Sequence, residues 1–188
     1  KVIGARSYQI QDFASYAPSN GDPAAFIALP TSINGVELVL ALQLSNEKID
    51  AVMQQRDGMG ETGETYLVGS DLLMRSQSRF LLEDKKAYLA ALRKAGESSK
   101  SLNLIDAKDS SLGFATVNTA AVKAALNGRS GFEIIEDYRG VAVASAYAAL
   151  KIGGNQWAIL SEIDEQEAFQ ASEELKSSLM LTSVISTL

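Results

Sequence analysis

A short polar segment near the middle of the chain carries the residue types best suited to hold a small anion. Arg75, Ser76, Ser78 and Arg79 lie within five consecutive positions. A guanidinium group binds a carboxylate through two parallel hydrogen bonds, and serine hydroxyls supply further donors. The segment therefore predicts a site for a small carboxylate, with Arg75, Ser76 and Ser78 as ligand-binding residues.

The composition argues against several other kinds of chemistry. The chain has 188 residues, a net charge of −6 and neither histidine nor cysteine. Nucleic acid is not an expected partner, because binding phosphates needs a basic face. Without imidazole or thiolate groups, the chain lacks the Ser-His and Cys-His pairs of nucleophilic enzymes and the usual zinc ligands. We therefore expect a protein that is not an enzyme and that binds neither a metal nor a cofactor.

The order of predicted elements frames the candidate site. Three glycines, Gly58, Gly60 and Gly63, end a helix and allow a sharp turn. These glycines and the nearby acids do not have the spacing of a calcium loop or of a dinucleotide-binding motif. The pattern then predicts strands at 64–69 and 72–78, helices at 84–95 and 119–127, a polar surface loop at 97–111, and three strands between 131 and 163.

A helix broken by glycines, a strand, a tight turn and a strand carrying Arg and Ser together resemble the Cache sensor domains of bacterial methyl-accepting chemotaxis proteins and related transmembrane receptors. The resemblance covers roughly residues 24 to 170, and its most specific part is the string Gly-Glu-Thr-Gly-Glu-Thr-Tyr-Leu-Val-Gly at 60–69. It implies an α+β fold, with a PAS-like five-stranded antiparallel sheet and flanking helices. It also implies a periplasmic domain that binds an organic acid or amino acid, forms a homodimer in the full receptor and joins the membrane through flanking helices.

In a PAS-like sheet, three tyrosines complete the predicted pocket. Tyr66, Tyr138 and Tyr147 fall on strands that such a sheet would bring side by side, and a tyrosine offers an apolar wall with a polar tip. Asp137, in the turn Glu-Asp-Tyr-Arg-Gly, could accept the ammonium group of an amino acid. Arg75 should then point into an enclosed cavity between the sheet and the segment that follows.

Each of these side chains also has a structural role open to it. Arg75 could pair with Asp71 or Glu64 to stabilise the turn, and the serines could cap the loop that follows. Tyrosine is a favoured strand residue that can bridge core and solvent. An aspartate beside a hairpin turn, such as Asp137, commonly bonds its own backbone. The sequence leaves both sets of roles open.

Two segments of the chain align without a gap at an offset of 119 residues. In each, a strand reaches a two-residue turn, at 34–35 or 153–154, and a second strand and a helix follow. Ser45 is the predicted cap of the first helix. Asp164 is the predicted cap of the second, in a capping box with Glu167. The repeat predicts two related units, of which the first is partial.

The predicted organisation follows from this repeat. Residues 1–45 form a partial membrane-distal unit of three strands, 46–57 a connecting helix, 58–164 the PAS-like unit, and 165–188 a helix that leads toward the membrane. The last twelve residues carry no charge, which fits either the apolar end of an amphipathic helix or the first turns of a membrane-spanning one. The alternative function for such a chain is a dimerisation module without a ligand, in a membrane histidine kinase or nucleotide cyclase.

Overall fold

A computed structural model describes residues 7–170, so the predictions for 171–188, including the uncharged run, lie outside the described residues. The described chain has seven strands in two antiparallel sheets, with five α-helices, a 3₁₀ turn and a sixth helical segment at 165–170. The strands are β1 (Gln9–Ser15), β2 (Pro23–Ile33), β3 (Val36–Gln43), β4 (Glu64–Val68), β5 (Gly131–Glu136), β6 (Ala142–Ile152) and β7 (Asn155–Asp164). The helices are α1 (Asn46–Met53), α2 (Arg79–Glu83), α3 (Lys85–Lys94), α4 (Ser99–Lys108) and α5 (Ala120–Leu126).

The first sheet contains three strands in the order β1-β2-β3. Its β2–β3 hairpin turns at Asn34 and Gly35, with φ of 51° and 78°, the left-handed conformation that Asn-Gly adopts readily. Every residue of β3 is exposed, although Leu38, Leu40 and Leu42 make one side of the strand apolar. The first sheet therefore leaves an apolar surface without a cover among the described residues.

The second sheet has the order β4-β7-β6-β5. Its β6–β7 hairpin turns at Gly153 and Gly154, with φ of 55° and 88°, so the hairpin repeat that the sequence predicts is confirmed. Helices α3, α4 and α5 cover one face and bury the core around Tyr66 and Leu160. Residues of the other face, such as Trp157, pack with Phe13 of the first sheet.

The strand predicted at 72–78 is reduced to two isolated bridges, Val68↔Met74 and Leu73↔Thr116. Side chains and a neighbouring loop take over the hydrogen bonds that a continuous strand would make. The Ser76 hydroxyl accepts a bond from the amide of Leu67 (3.1 Å), and the Met74 amide donates to Ala115 (3.1 Å). The second sheet thus has four strands rather than five, within the predicted α+β arrangement.

The polar stretch at 97–111 was expected to be a loop, and that expectation is wrong, because the stretch contains α4. Ser98 caps this helix by accepting a bond from the amide of Ser101 (3.1 Å). Leu102 and Ile105 lie one turn apart and are buried in the core. Apolar residues at helical spacing thus give this largely polar segment a buried face.

Candidate functional site

Two rows of facing residues run across the second sheet. Tyr66 on β4 lies opposite Leu160 on β7, which lies opposite Tyr147 on β6. Two positions away, Glu64 lies opposite Glu162, which lies opposite Ser145. Directly opposed residues point to the same face of a sheet. The second row therefore places two carboxylates and a hydroxyl under the helices.

Glu64 is 4% exposed and accepts three hydrogen bonds. Its Oε1 accepts from the Ser78 hydroxyl and from the Arg79 backbone amide, both at 2.7 Å. Its Oε2 accepts from the Tyr138 hydroxyl at 2.7 Å. Burial raises the pKa of Glu64 above its ordinary value, and these bonds offset part of that rise.

Glu162 is equally buried, with 4% of its surface exposed. Its two oxygens accept from the Ser145 hydroxyl (2.6 Å) and from the Tyr66 hydroxyl (2.8 Å). Burial raises the pKa of Glu162 to about 7, with smaller contributions from the negative charges of Asp137 and Glu64. A carboxyl group beneath this sheet thus titrates near neutral pH.

Tyrosine rings fill the space between the second sheet and its helices. Tyr66 meets Tyr138 edge to face, with ring centroids 5.4 Å apart, and Tyr138 meets Tyr88 at 6.3 Å. Burial raises the pKa of all three hydroxyls, so they remain protonated and neutral. The hydroxyls of Tyr66 and Tyr138 donate to the two glutamates.

The structure thus brings Tyr66, Tyr138 and Ser78, three of the predicted ligand-binding residues, into one buried cluster. Sequence analysis missed Glu64 and Glu162, which hold that cluster together. Their signal was present in the sequence: each is an acid in a strand at a position that alternation assigns to the buried face. Without the register between β4 and β7, nothing in the sequence indicates that the two residues face each other.

Arg75 lies elsewhere, between the two sheets. Its guanidinium donates to both carboxylate oxygens of Asp12 on β1, at 2.9 and 3.0 Å, and pairs with Asp71 at 2.9 Å. Its ion pair with Asp71 is the structural role that the sequence left open for it. The side chain points toward β1 and does not line the cavity described below. Ser76 is also buried, and its hydroxyl accepts a hydrogen bond from the Leu67 amide.

Asp137 and Tyr147 also have structural partners. Asp137 accepts bonds from the amides of Arg139 (2.8 Å) and Val141 (3.0 Å), as an aspartate beside a hairpin turn commonly does. It is also paired with the Arg139 guanidinium at 2.6 Å. The Tyr147 hydroxyl donates to Glu133 on the neighbouring strand. The pocket roles predicted for these two residues remain predictions.

An open cavity of about 780 Å³ lies beside Asp137 and Tyr138. The turn between β5 and β6 forms one wall, and the end of α3 and the start of α5 form the others. Charged groups of both signs line it: Lys94 and Arg139 are cationic, and Glu97, Glu136 and Asp137 are acidic. Such a lining suits a small molecule that carries a carboxylate, an ammonium group or both.

Arg139 connects this cavity to the start of the last helix. Its guanidinium stacks on Phe80, 3.7 Å from the ring centroid, and pairs with Asp164 at 2.7 Å. Asp164 ends β7, and its amide donates to the Thr62 hydroxyl at 3.0 Å. One guanidinium therefore joins the cavity wall to the junction between β7 and the helix at 165–170.

Glu167, in the first turn of that helix, forms hydrogen bonds with the glycine-containing loop at 58–63. Its carboxylate accepts from the amides of Glu61 (2.7 Å) and Thr62 (2.8 Å) and from the Thr62 hydroxyl. Gly60 makes this approach possible, because a Cβ there would lie 2.1 Å from a carboxylate oxygen. The capping box predicted for Glu167 is replaced by this bond to the loop. Hydrogen bonds thus join the helix at 165–170 to the loop that precedes β4.

Within residues 7–170, no group of three or more acidic side chains is placed to hold a metal ion. No helix in that range is long and apolar enough to cross a bilayer.

No family model and no curated protein matches the sequence. Solved structures with a similar fold include the periplasmic sensory domain of the Campylobacter jejuni chemoreceptor Tlp1, with a TM-score of 0.53 and 16% identity over 88% of this chain and 52% of that one. They include the ligand-binding domain of the Pseudomonas aeruginosa PAO1 amino-acid chemoreceptor PctB in complex with L-arginine, with a TM-score of 0.51 and 16% identity over 89% and 58%. The extracellular domain of vpHK1S-Z8, a proposed histidine kinase, gives a TM-score of 0.53 and 10% identity over 88% and 53%.

This chain spans a little over half the length of each of these structures. The first two are sensory or ligand-binding domains of chemoreceptors, and the third is an extracellular domain of a proposed histidine kinase. At such low identity the likeness concerns the fold. The chain has the Cache-like α+β fold of the extracytoplasmic sensor domains of bacterial receptors, as the resemblance in its sequence predicted.

Proposed function

We propose that this chain senses a small metabolite outside the cytoplasm, as part of a bacterial transmembrane receptor of the chemotaxis type. The observation that carries the proposal is the contact between Arg139 and Asp164. It links an open cavity of mixed charge to the residue from which the last helix starts. A receptor needs such a link, because binding must change the helix that leads to the next domain.

The cavity favours an organic acid or an amino acid as the ligand. Arg139 and Lys94 would attract a carboxylate, and Glu97 and Glu136 would attract an ammonium group. Asp137 and Tyr138, two of the residues predicted from the sequence, line the same cavity. The similar structure of PctB was solved with L-arginine, which supports an amino acid as the ligand class.

A carboxylate ligand would act through competition. Arg139 is shared between Asp137 at 2.6 Å and Asp164 at 2.7 Å. A ligand that binds the guanidinium would weaken its bond to Asp164 and release the junction between β7 and the helix. A ligand can shift this equilibrium only by its difference in affinity for the two states.

A thermal-shift screen tests the ligand proposal. The chain is heated with single amino acids and small organic acids at constant pH, and a ligand at a hundredfold its Kd should add about 2.7 kcal/mol of stability. Arg139→Gln should lose the ligand-induced shift, whatever its own melting temperature. Arg129→Gln, a change at an exposed arginine outside the cavity, should keep it. An equal shift in both variants would remove Arg139 from the site.

A dimerisation module without a ligand is the second candidate. It is favoured by the tyrosine rings of Tyr66, Tyr88 and Tyr138, which fill the interior that a PAS-like pocket would occupy. The similarity to a histidine kinase sensor domain fits this role as well as it fits ligand binding. A screen without any hit, together with concentration-dependent dimerisation in sedimentation experiments, would support this candidate over the first.

The first sheet supports the proposed division into two units. β1, β2 and β3 form their own sheet, and β3 is an exposed edge strand with Leu38, Leu40 and Leu42 on one side. We propose that this sheet is part of a further, membrane-distal unit, consistent with the coverage of a little over half of each similar structure. A longer chain should therefore protect β3 from hydrogen exchange more strongly than this one does.

A further inference from the structure

Glu64 and Glu162 form a pair of buried acids without a contacting cation. They are direct partners in the β4–β7 ladder, and each is 4% exposed. The Cβ atoms of such partners lie about 4.5–5.5 Å apart. Burial disfavours the charged form of each group, and like charges on opposed residues repel each other, so one of the two groups tends to keep its proton.

The groups that contact the pair are neutral. Five hydrogen bonds reach the two carboxylates, four from hydroxyl groups and one from a backbone amide. Hydroxyl groups can donate to a carboxylate and can also accept from a protonated carboxyl group, so the cluster accommodates either state. The tyrosines beside the pair, including Tyr88, are neutral because burial raises their pKa.

The nearest charged groups do not compensate the pair. Burial raises the pKa of Glu64 by more than Arg139 lowers it, and the Arg139 guanidinium pairs with Asp137 and Asp164. Arg79 offers Glu64 its amide, while its guanidinium binds Glu83 at 2.8 Å and the Gly63 carbonyl at 2.6 Å. Asp137 adds a further negative charge that disfavours ionisation of Glu162.

We propose that Glu64 and Glu162 bind one proton between them, taken from and returned to solvent, and that its loss loosens β4 from β7 where the last helix begins. With the proton bound, one carboxyl is neutral and the two strands pair without repulsion. Without it, two charges oppose each other at the β4–β7 edge. This proposal rests on the cluster alone and does not require a ligand in the cavity.

The pair lies close to the junction between β7 and the helix at 165–170, so its charge can affect that junction. Glu162 lies two residues before Asp164, the end of β7, after which the helix at 165–170 begins. Glu64 begins β4, directly after the loop that Glu167 holds through the amides of Glu61 and Thr62. Both strands that enter the helix junction therefore carry one member of the pair.

Proton linkage gives the direction of the effect. Burial raises the pKa of Glu162 to about 7, and that of Glu64 is also raised. The unfolded chain releases this proton near the ordinary glutamate value, about 4.3. Between these two pH values the folded chain holds a proton that the unfolded chain does not. The equilibrium constant for unfolding therefore rises by up to tenfold for each pH unit.

The test compares urea unfolding of the full chain from about pH 4.5 to about pH 8. We expect wild type to become easier to unfold as the pH rises toward 7. Glu162→Gln should reduce this trend, because the amide carries no titratable proton and leaves Glu64 without a charged partner opposite it. Glu37→Gln, a matched change at an exposed acid on β3, should retain it. Equal slopes for wild type and Glu162→Gln would overturn the proposal.

A measurement on the unmodified protein covers the case in which Glu162→Gln does not fold. Infrared spectra at about pH 6 should show the carbonyl stretch of a protonated carboxyl group, and the band should fade as the pH is raised through about 7. In Glu64→Gln the remaining acid has no charged partner opposite it, so its titration should move to lower pH. The absence of a protonated carboxyl band in wild type at about pH 6 would overturn the proposal.

Discussion

Glu64 and Glu162 face each other across the β4–β7 ladder, and both are almost completely buried. Acids directly opposed on neighbouring strands normally destabilise a sheet. Here the two carboxylates are held by hydroxyl donors from β4, β6, the start of α2 and the β5–β6 turn. A polar cluster therefore lies beneath the β4–β7 edge of the second sheet, close to the point where the helix at 165–170 begins.

Tyr66→Phe tests the contribution of this cluster to stability. The change removes the hydroxyl that donates to Glu162 at 2.8 Å and leaves the ring in place. Loss of a hydrogen-bond donor to a buried carboxylate lowers the free energy of unfolding by about 1–3 kcal/mol. The same loss favours the protonated form of Glu162. We expect a lower free energy of unfolding, with a larger deficit above neutral pH than below it.

Chemical denaturation at about pH 5 and about pH 8 measures this difference. Tyr8→Phe is a suitable control, since Tyr8 is an exposed tyrosine that directly precedes β1. A deficit for Tyr66→Phe that is the same at both pH values would show that the hydroxyl does not act through the charge on Glu162.

Arg75→Ala should destabilise the contact between the two sheets. The side chain is 2% exposed and is bonded to Asp12 on β1, whose own side chain is 18% exposed. Removing one partner of a buried ion pair leaves the other without compensation, at a cost of about 3 kcal/mol. Asp71→Asn should cost much less, because Asp71 is 47% exposed and surface pairs contribute little.

Urea unfolding of the two variants provides the measurement, and hydrogen exchange shows where the loss acts. Faster exchange in β1 and β2 than in β6 and β7 is expected for Arg75→Ala. If the variant instead unfolds like wild type and loses ligand binding, Arg75 has the ligand role that its sequence context suggests.

The sequence was informative wherever local chemistry decides structure. The Asn34-Gly35 and Gly153-Gly154 turns determine their hairpins, since both positions need a positive φ. The sequence was less informative about Arg75, whose guanidinium binds a residue 63 positions earlier in the chain, Asp12. Such a partner depends on how the two sheets pack, and no local pattern records it.

The candidate site shows the same limit. Tyr66, Ser78 and Tyr138 were predicted from their residue types, and they do converge. Glu64 and Glu162 were missed, because they face each other only through the register between β4 and β7. These two strands are far apart in sequence, and Tyr66 lies 96 residues before Glu162. Periodicity predicts which face a residue occupies, but not which residue faces it.

Glu167→Ala tests the attachment of the last helix to the glycine-containing loop. The carboxylate accepts bonds from the amides of Glu61 and Thr62 and from the Thr62 hydroxyl, and these bonds lower the pKa of Glu167. A depressed pKa means that the attachment is present above the ordinary glutamate value, about 4.3, and weakens as the pH falls below it. Its pH dependence is therefore opposite in sign to that of Glu162.

Hydrogen exchange at the Glu61 and Thr62 amides measures this attachment. Both amides should exchange faster in Glu167→Ala than in wild type, while amides in the centre of β6 should be unchanged. Glu165→Ala removes a carboxylate from the same helical turn and should leave both amides protected. If the two variants behave alike, the helix is positioned by Asp164 and its bond to Arg139. The loop would then have no part in positioning this helix.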